Sequence, residues 1–446
     1  MKASMSFGRQ ASDGLRLLCF AAIAGLGSGA SAAPRDSSFD SYFPRNQYPD
    51  LSDMQPPGPD TKDDGSLAGN IQILSSEISK SVKQVAQKRN LTCLGDPCLV
   101  QVFPMMYSKP NSGFFGGFRA RLTNISRQDP YLYAFDAQVI RSDTAQWLAQ
   151  LGADIPQIDL KIARPRWKIR SSYARSTEFR YTGQGLESSR LVDRPDNDKR
   201  YSINETSYGS SIMIPLTRNE DSKFGIYGSY DHAWTRNNPF DGLSSSLLFD
   251  ERPDGYRGGT FRSMGAGFYI DTRPTETLTR SGAMMEVGAR LGILSDPRLY
   301  SYRFTIIDRR YQTAGRWTLA HRLTMDGIFL EAPFWEKAGV GGIDPIRDIS
   351  GSGILKAYTG GRFHENFKFI ESLELRIHQN ELRVIGLKGD VALMPLAADV
   401  GFMSRLFVWS LATGFDVMWN RSFLTRLYVA RSPEDWALRL RFSQEF

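Results

Sequence analysis

The chain has 446 residues, 41% of them hydrophobic, 12% aromatic and 23% charged, with a formal net charge of +7. Its mean hydropathy is slightly negative, which suits two or three soluble domains or one large barrel whose strands alternate between a polar lumen and lipid. Beyond the N-terminus no uncharged apolar run reaches membrane-helix length, and the arginines are dispersed, so a helical membrane protein is excluded and nucleic acid is not an expected partner.

Lys2, Arg9 and Arg16 form a basic start, residues 17–26 are apolar, and Ala30-Ser31-Ala32 supplies an A-x-A cleavage site. Residues 1–32 therefore read as a secretory signal peptide. The apolar stretch is too short for a membrane helix, and Leu18 is too large to precede a lipidated Cys19. Residues 33–99 read as a periplasmic extension. It begins with a segment rich in proline, aspartate, serine and glycine that cannot bury a core. Asn70 then caps an expected helix over 70–89, with Ile71, Leu74, Ile78, Val82 and Val85 on one face. This helix either plugs a lumen or stays in the periplasm, at the barrel mouth or against a partner. Cys93 and Cys98 flank a tight turn and, in an oxidising compartment, are expected to form a disulfide.

Residues 100–446 read as strands. Met285, Val287, Ala289, Leu291 and Ile293 alternate with Glu286, Gly288, Arg290 and Gly292. Met264, Ala266, Phe268 and Ile270 alternate with Ser263, Gly265, Gly267 and Asp271; Leu373, Leu375 and Ile377 alternate with Glu374, Arg376 and His378. Period two with one polar face means sheet. A soluble sandwich shows the same alternation, and the last strand discriminates. Trp436, Leu438, Leu440, Phe442 and the terminal Phe446 share one face, opposite Arg439 and Arg441. Free termini usually fray, whereas a closed barrel pairs its last strand with its first. The fold class expected is all-β: an antiparallel transmembrane β-barrel of about 16 strands at ~10 residues per strand plus its connection, with a short N-terminal periplasmic helix.

Four segments, in order, resemble the BamA/TamA-like bacterial surface antigen superfamily of Gram-negative outer-membrane barrels. Asp271-Thr272-Arg273 followed by Thr279-Arg280-Ser281-Gly282 is similar to its DTRD…PTKG hairpin, marked here by Asp271, Arg273 and Gly282. The run 318–342 is similar to the strand and Gly-Gly entrance of its long sixth loop. Lys356-Ala357-Tyr358, Arg362-Phe363 and the strand around Glu374 resemble RGY…RF…ELR, and Asp399 lies in an F-x-D-x-G-like strand. The final strand with Phe446 resembles the family's assembly signal. The resemblance implies a loop folded into the lumen, with Glu374 and Asp399 as acidic partners for its basic residue. They serve equally well as plain lumen-facing polar groups. Lys356 and Ala357 stand where arginine and glycine are expected, so either the loop's clasp is weakened or another residue supplies it. No POTRA domain is recognisable, which places the resemblance with the barrel-only branch.

The function implied is insertion or translocation of a protein or lipid-linked client at the bacterial outer membrane, without a cofactor. Outer-membrane lipids and lipopolysaccharide are the expected surroundings, and a protein client or periplasmic partner is expected. The alternative is a passive pore or a structural surface-antigen barrel. An enzyme is not expected: there is no G-x-S-x-G, and His232, His321, His364 and His378 lack metal-ligand spacing.

Overall fold

The computed structural model describes residues 89–446 apart from 94–95, 110–112, 125–130, 145, 159, 161–163, 184–198, 218–222, 241–245, 277, 351–353, 359, 380–382, 394–406, 421–422 and 442–446. The expected helix over 70–89 falls, but for its last residue, outside these, as do Asp399, Phe442 and Phe446.

The strands are β1 (Arg89–Cys93), β2 (Asp96–Lys109), β3 (Gly113–Asn124), β4 (Tyr133–Ser142), β5 (Trp147–Ile155), β6 (Arg166–Arg180), β7 (Arg200–Pro215) and β8 (Lys223–Pro239). A short helix α1 (Leu247–Glu251) follows. Then come β9 (Gly258–Asp271), β10 (Gly282–Leu294), β11 (Leu299–Ala314), β12 (Trp317–Leu330) and β13 (Phe367–His378). The chain ends with β14 (Arg383–Leu393), β15 (Phe407–Asn420), β16 (Phe423–Arg431) and β17 (Trp436–Arg441). All belong to one 17-stranded antiparallel sheet in which sequence neighbours pair, and β17 comes round to lie beside β2. Sixteen strands, β2 to β17, make the wall. The short β1 is an addition to it, a hairpin arm on β2 with Cys93 paired to Asp96 and the two cysteines joined as a disulfide. Sequence reading placed a helix end and a loop there and began the barrel near residue 100; β2 already starts at Asp96.

The faces are reversed relative to a soluble barrel. On β10, Leu291 is 61% exposed, while Glu286, on the opposite face of the same strand, is 2% exposed. On β13, Leu373 is 46% exposed, and Glu374 and Arg376 are fully buried. Trp436 and Leu438 of β17 face outward in the same way. Leucine and phenylalanine outside, with carboxylates and guanidinium groups inside, is stable only where the outer solvent is lipid. The wall is therefore a transmembrane antiparallel β-barrel of the outer-membrane type.

Connections after odd-numbered strands are mostly short, and those after even-numbered strands include the long 181–199, 240–257 and 331–366. At this loop end Tyr181, Tyr201, Leu247, Leu248 and Phe334 share an aromatic-rich core that ties the three long connections together.

Close wall packing needs glycine at defined points. Tyr227 of β8 lies flat over the inner face, and a Cβ on Gly288 would run into its hydroxyl. Gly288→Ala forces the ring to move, and overpacking of this kind costs about 1–3 kcal/mol. Urea unfolding of the refolded barrel should show a lower midpoint with an unchanged slope; an unchanged midpoint would mean that the ring yields freely.

Candidate functional site: the loop inside the lumen

The connection 331–366 enters the barrel. A 3-10 turn at Phe334–Ala338 starts it, and the bridge between Val340 and Ile346 folds it into a tight hairpin. Gly341 and Gly342 bring its backbone against the wall. There Gly341 N–H donates to Asp326 of β12 at 3.0 Å, and Ile343 N–H donates to Glu286 of β10 at 3.2 Å. Gly342 sits at φ +111, where a side chain would be strained and would press on Glu286.

From this entrance the loop reaches well-separated strands. Asp344 accepts from Lys168 of β6 at 2.7 Å, and Arg347 pairs with Glu205 of β7. Ile349, Ile354, Leu355, Tyr358 and Phe363 pack on the inward side chains Ile307, Ile370, Ala392 and Val408. Tyr358 and Phe363 meet edge to face, with centroids 5.0 Å apart. A loop that touches β6 and β7 as well as β10, β12 and β14 crosses the lumen.

Lys356, in the place of the expected arginine, is buried. Its ammonium lies 5.4 Å from the Tyr428 ring of β16, within cation–π range. Burial first, and then the neighbouring Lys388 ammonium, hold its pKa well below the ordinary lysine value, while Asp390 acts in the opposite sense. Asp390 of β14 also accepts the Leu355 N–H at 3.2 Å. Ala357 is packed against Ala412, Tyr428 and Ala430.

The bidentate clasp is made elsewhere, by Arg362. Its Nε donates to Glu434 at 2.9 Å, its Nη2 lies 2.8 Å from the same carboxylate, and its Nη1 donates to Thr182 at 3.2 Å. Glu434 is in the turn between β16 and β17, so one guanidinium joins the loop to the last hairpin and to the chain leaving β6. His364 next to it is buried against Tyr181 and Phe334; burial, then the nearby lysine and arginine charges, bring its pKa down to about 3.

Of the two expected acidic partners, Glu374 belongs to the wall itself. It accepts from Arg376 at 3.0 Å and from Arg426 at 2.6 Å, and Arg426 also holds Asp416 at 2.7 Å. Among the described residues, the acids that meet the loop include Glu205, Glu286, Asp326, Asp390 and Glu434. Glu286 stands on a strand whose alternation is plain in the sequence; Glu434 had no sequence signal. The expected hairpin lies between β9 and β10. There Asp271 accepts from the Arg273 side chain at 2.9 and 3.0 Å, and Gly282 takes φ +89. Its Thr279 carbonyl accepts from Arg376 at 3.1 Å, and Leu278 packs against Val384 and Leu424. This turn thus folds over the inner wall at the other end of the barrel.

These environments separate two lysine and arginine roles. Lys356→Met removes a buried cation from beside Lys388 and leaves the Arg362 clasp intact. We expect stability unchanged within about 1 kcal/mol, or raised, because Lys388 stays beside Asp390 at 3.7 Å, so no carboxylate is left unpaired, and the repulsion between two buried ammonium groups is gone. A loss of several kcal/mol in urea unfolding would show that Lys356 carries the clasp after all.

The class this fold and site define is a transmembrane barrel with its own loop in the lumen. No family model matches the sequence, and no curated protein does. Among solved structures, the chain is similar to CdiB from Acinetobacter baumannii at 9% identity and a TM-score of 0.46, over 77% of this chain and 58% of that one. It is similar to CdiB from Escherichia coli at 12% identity and a TM-score of 0.46, over 82% of this chain and 69% of that one. It is also similar to BamA from Haemophilus ducreyi lacking POTRA domains 1–3, at 12% identity and a TM-score of 0.42, covering 82% and 77%. The chain thus spans less than two thirds of the A. baumannii protein. These are likenesses of fold.

Proposed function

We propose that this barrel resides in the bacterial outer membrane and assists the insertion or translocation of protein clients, with the loop 331–366 as its movable part. One observation carries the reading: the loop is tied to the last hairpin through Arg362 and Glu434. Motion of the loop is thereby coupled to the β16–β17 hairpin, next to the place where β17 meets β2. A seam that can loosen is what a client strand needs, since an open edge offers unpaired N–H and C=O groups for strand addition. A lumen crossed by its own loop disfavours the alternative of a passive pore. Lipopolysaccharide and outer-membrane lipids are the proposed surroundings of the apolar outer face.

Depletion in cells tests the reading. Assembly or translocation predicts that other outer-membrane or secreted proteins fall in abundance while solute uptake is unchanged. Altered uptake with a normal membrane proteome would instead support the pore.

A further inference from the structure

Among the described residues, β11, β12 and β13 carry four ionisable side chains on their lipid-facing side where hydrocarbon is expected. On two adjacent rungs the outward residues are Asp308, Leu323 and Glu371, and then Arg310, His321 and Leu373, from β11, β12 and β13 in turn. Arg310 holds Asp308 at 2.7 Å, and His321 lies 3.3 Å from Glu371. The side chains of Arg310 and Glu371 remain about half exposed, at 55% and 48%.

Their depth follows from the register. Trp317 marks the turn-end rim, and Phe329, Tyr300 and Tyr302 mark the loop-end rim; all four are exposed. At ~3.3 Å per residue and a tilt of ~40°, His321 lies about 10 Å from the level of Trp317 and about 20 Å from that of Phe329. Glu371 pairs across from Leu323, and Ile377 further down the same strand pairs with Trp317, which puts Glu371 about 15 Å from that rim. Both therefore lie within the ~25 Å apolar band. Charge on the lipid face of a barrel is costly at such depth, and in-membrane ionisable groups ordinarily meet protein or water.

We infer that β11–β13 form an interface with a second copy of this chain inside the membrane. The charges point to this occupant. The patch holds two acids and two bases, so a twofold axis through it brings Arg310 of one copy to Glu371 of the partner subunit, and the reverse. An isologous contact needs a self-complementary surface of this kind. A partner with charge of one sign would satisfy only half of it.

Purified full-length protein, as it comes from the membrane, tests this. Two differently tagged copies are co-expressed, one is captured, and the other is measured in the eluate; native mass is read in parallel. The expected result is a dimer mass with co-capture, and bismaleimide cross-linking at Leu323→Cys but not at Leu151→Cys on the far wall. In R310L/E371L, co-capture should fall about tenfold, a loss typical of a hot-spot pair, while the thermal midpoint of the barrel stays the same or rises. That midpoint separates a lost interface from a lost fold. A monomer mass without co-capture overturns the inference, as does cross-linking equally strong at Leu151→Cys or co-capture that R310L/E371L leaves intact.

Discussion

Arg426→Met is expected to leave the barrel largely unfolded in detergent. Arg426 sits between Glu374 of β13 and Asp416 of β15, contacts both at 2.6–2.7 Å, and is buried with them. Truncation removes the charge that compensates two carboxylates within the wall. Breaking a buried ion pair by removing one partner costs about 3–5 kcal/mol, because the other charge is left unpaired. Arg376 stays bound to Glu374 at 3.0 and 3.3 Å, but its Nη1 is already committed to the Thr279 carbonyl at 3.1 Å. Gel mobility with and without heating reads the folded fraction. The triple change Arg426→Met, Glu374→Gln and Asp416→Asn should recover much of it, since the stranded charges are then gone. A single variant that folds like the parent would contradict the assignment.

Excising residues 343–362 and bridging the gap with a short flexible linker should convert a quiet barrel into a steady channel. A sixteen-stranded wall without an insert encloses an aqueous path, so single-channel conductance should rise on the order of tenfold or more. Arg362→Ala should act in the same direction but more weakly, with brief openings in place of a steady current. Glu434 is 38% exposed, so water screens its bond to Arg362, and a worth of about 1 kcal/mol is the fitting scale. Conductance unchanged by the excision would mean that something other than this loop closes the lumen.

The wall was legible in the sequence because each strand repeats one rule. Leu291 beside Arg290, and Leu373 beside Glu374, put apolar and polar groups on opposite faces, and a barrel in lipid turns the apolar one out. The short β1 was not legible. Residues 89–93 follow a stretch of helical spacing, and they become a strand only because β2 offers them an edge. The loop's place in the lumen came from resemblance, and its contacts did not. Glu374 and Arg376 sit two apart on one face, so their pairing was readable, whereas Arg426 comes from another strand. Likewise, Arg362 and Glu434 meet only because the chain curls round to bring the last hairpin over the loop. Long-range pairing is a property of the folded wall, and no local pattern encodes it.

Everything rests on that wall having no free edge. A double-cysteine scan between β2 and β17, performed on the folded protein in lipid, examines it directly. The account predicts cross-links along the whole of β17, with the reactive β2 position moving to lower numbers as the β17 position moves to higher ones. An absence of cross-links between the two strands, in a protein still folded by gel mobility, would contradict it.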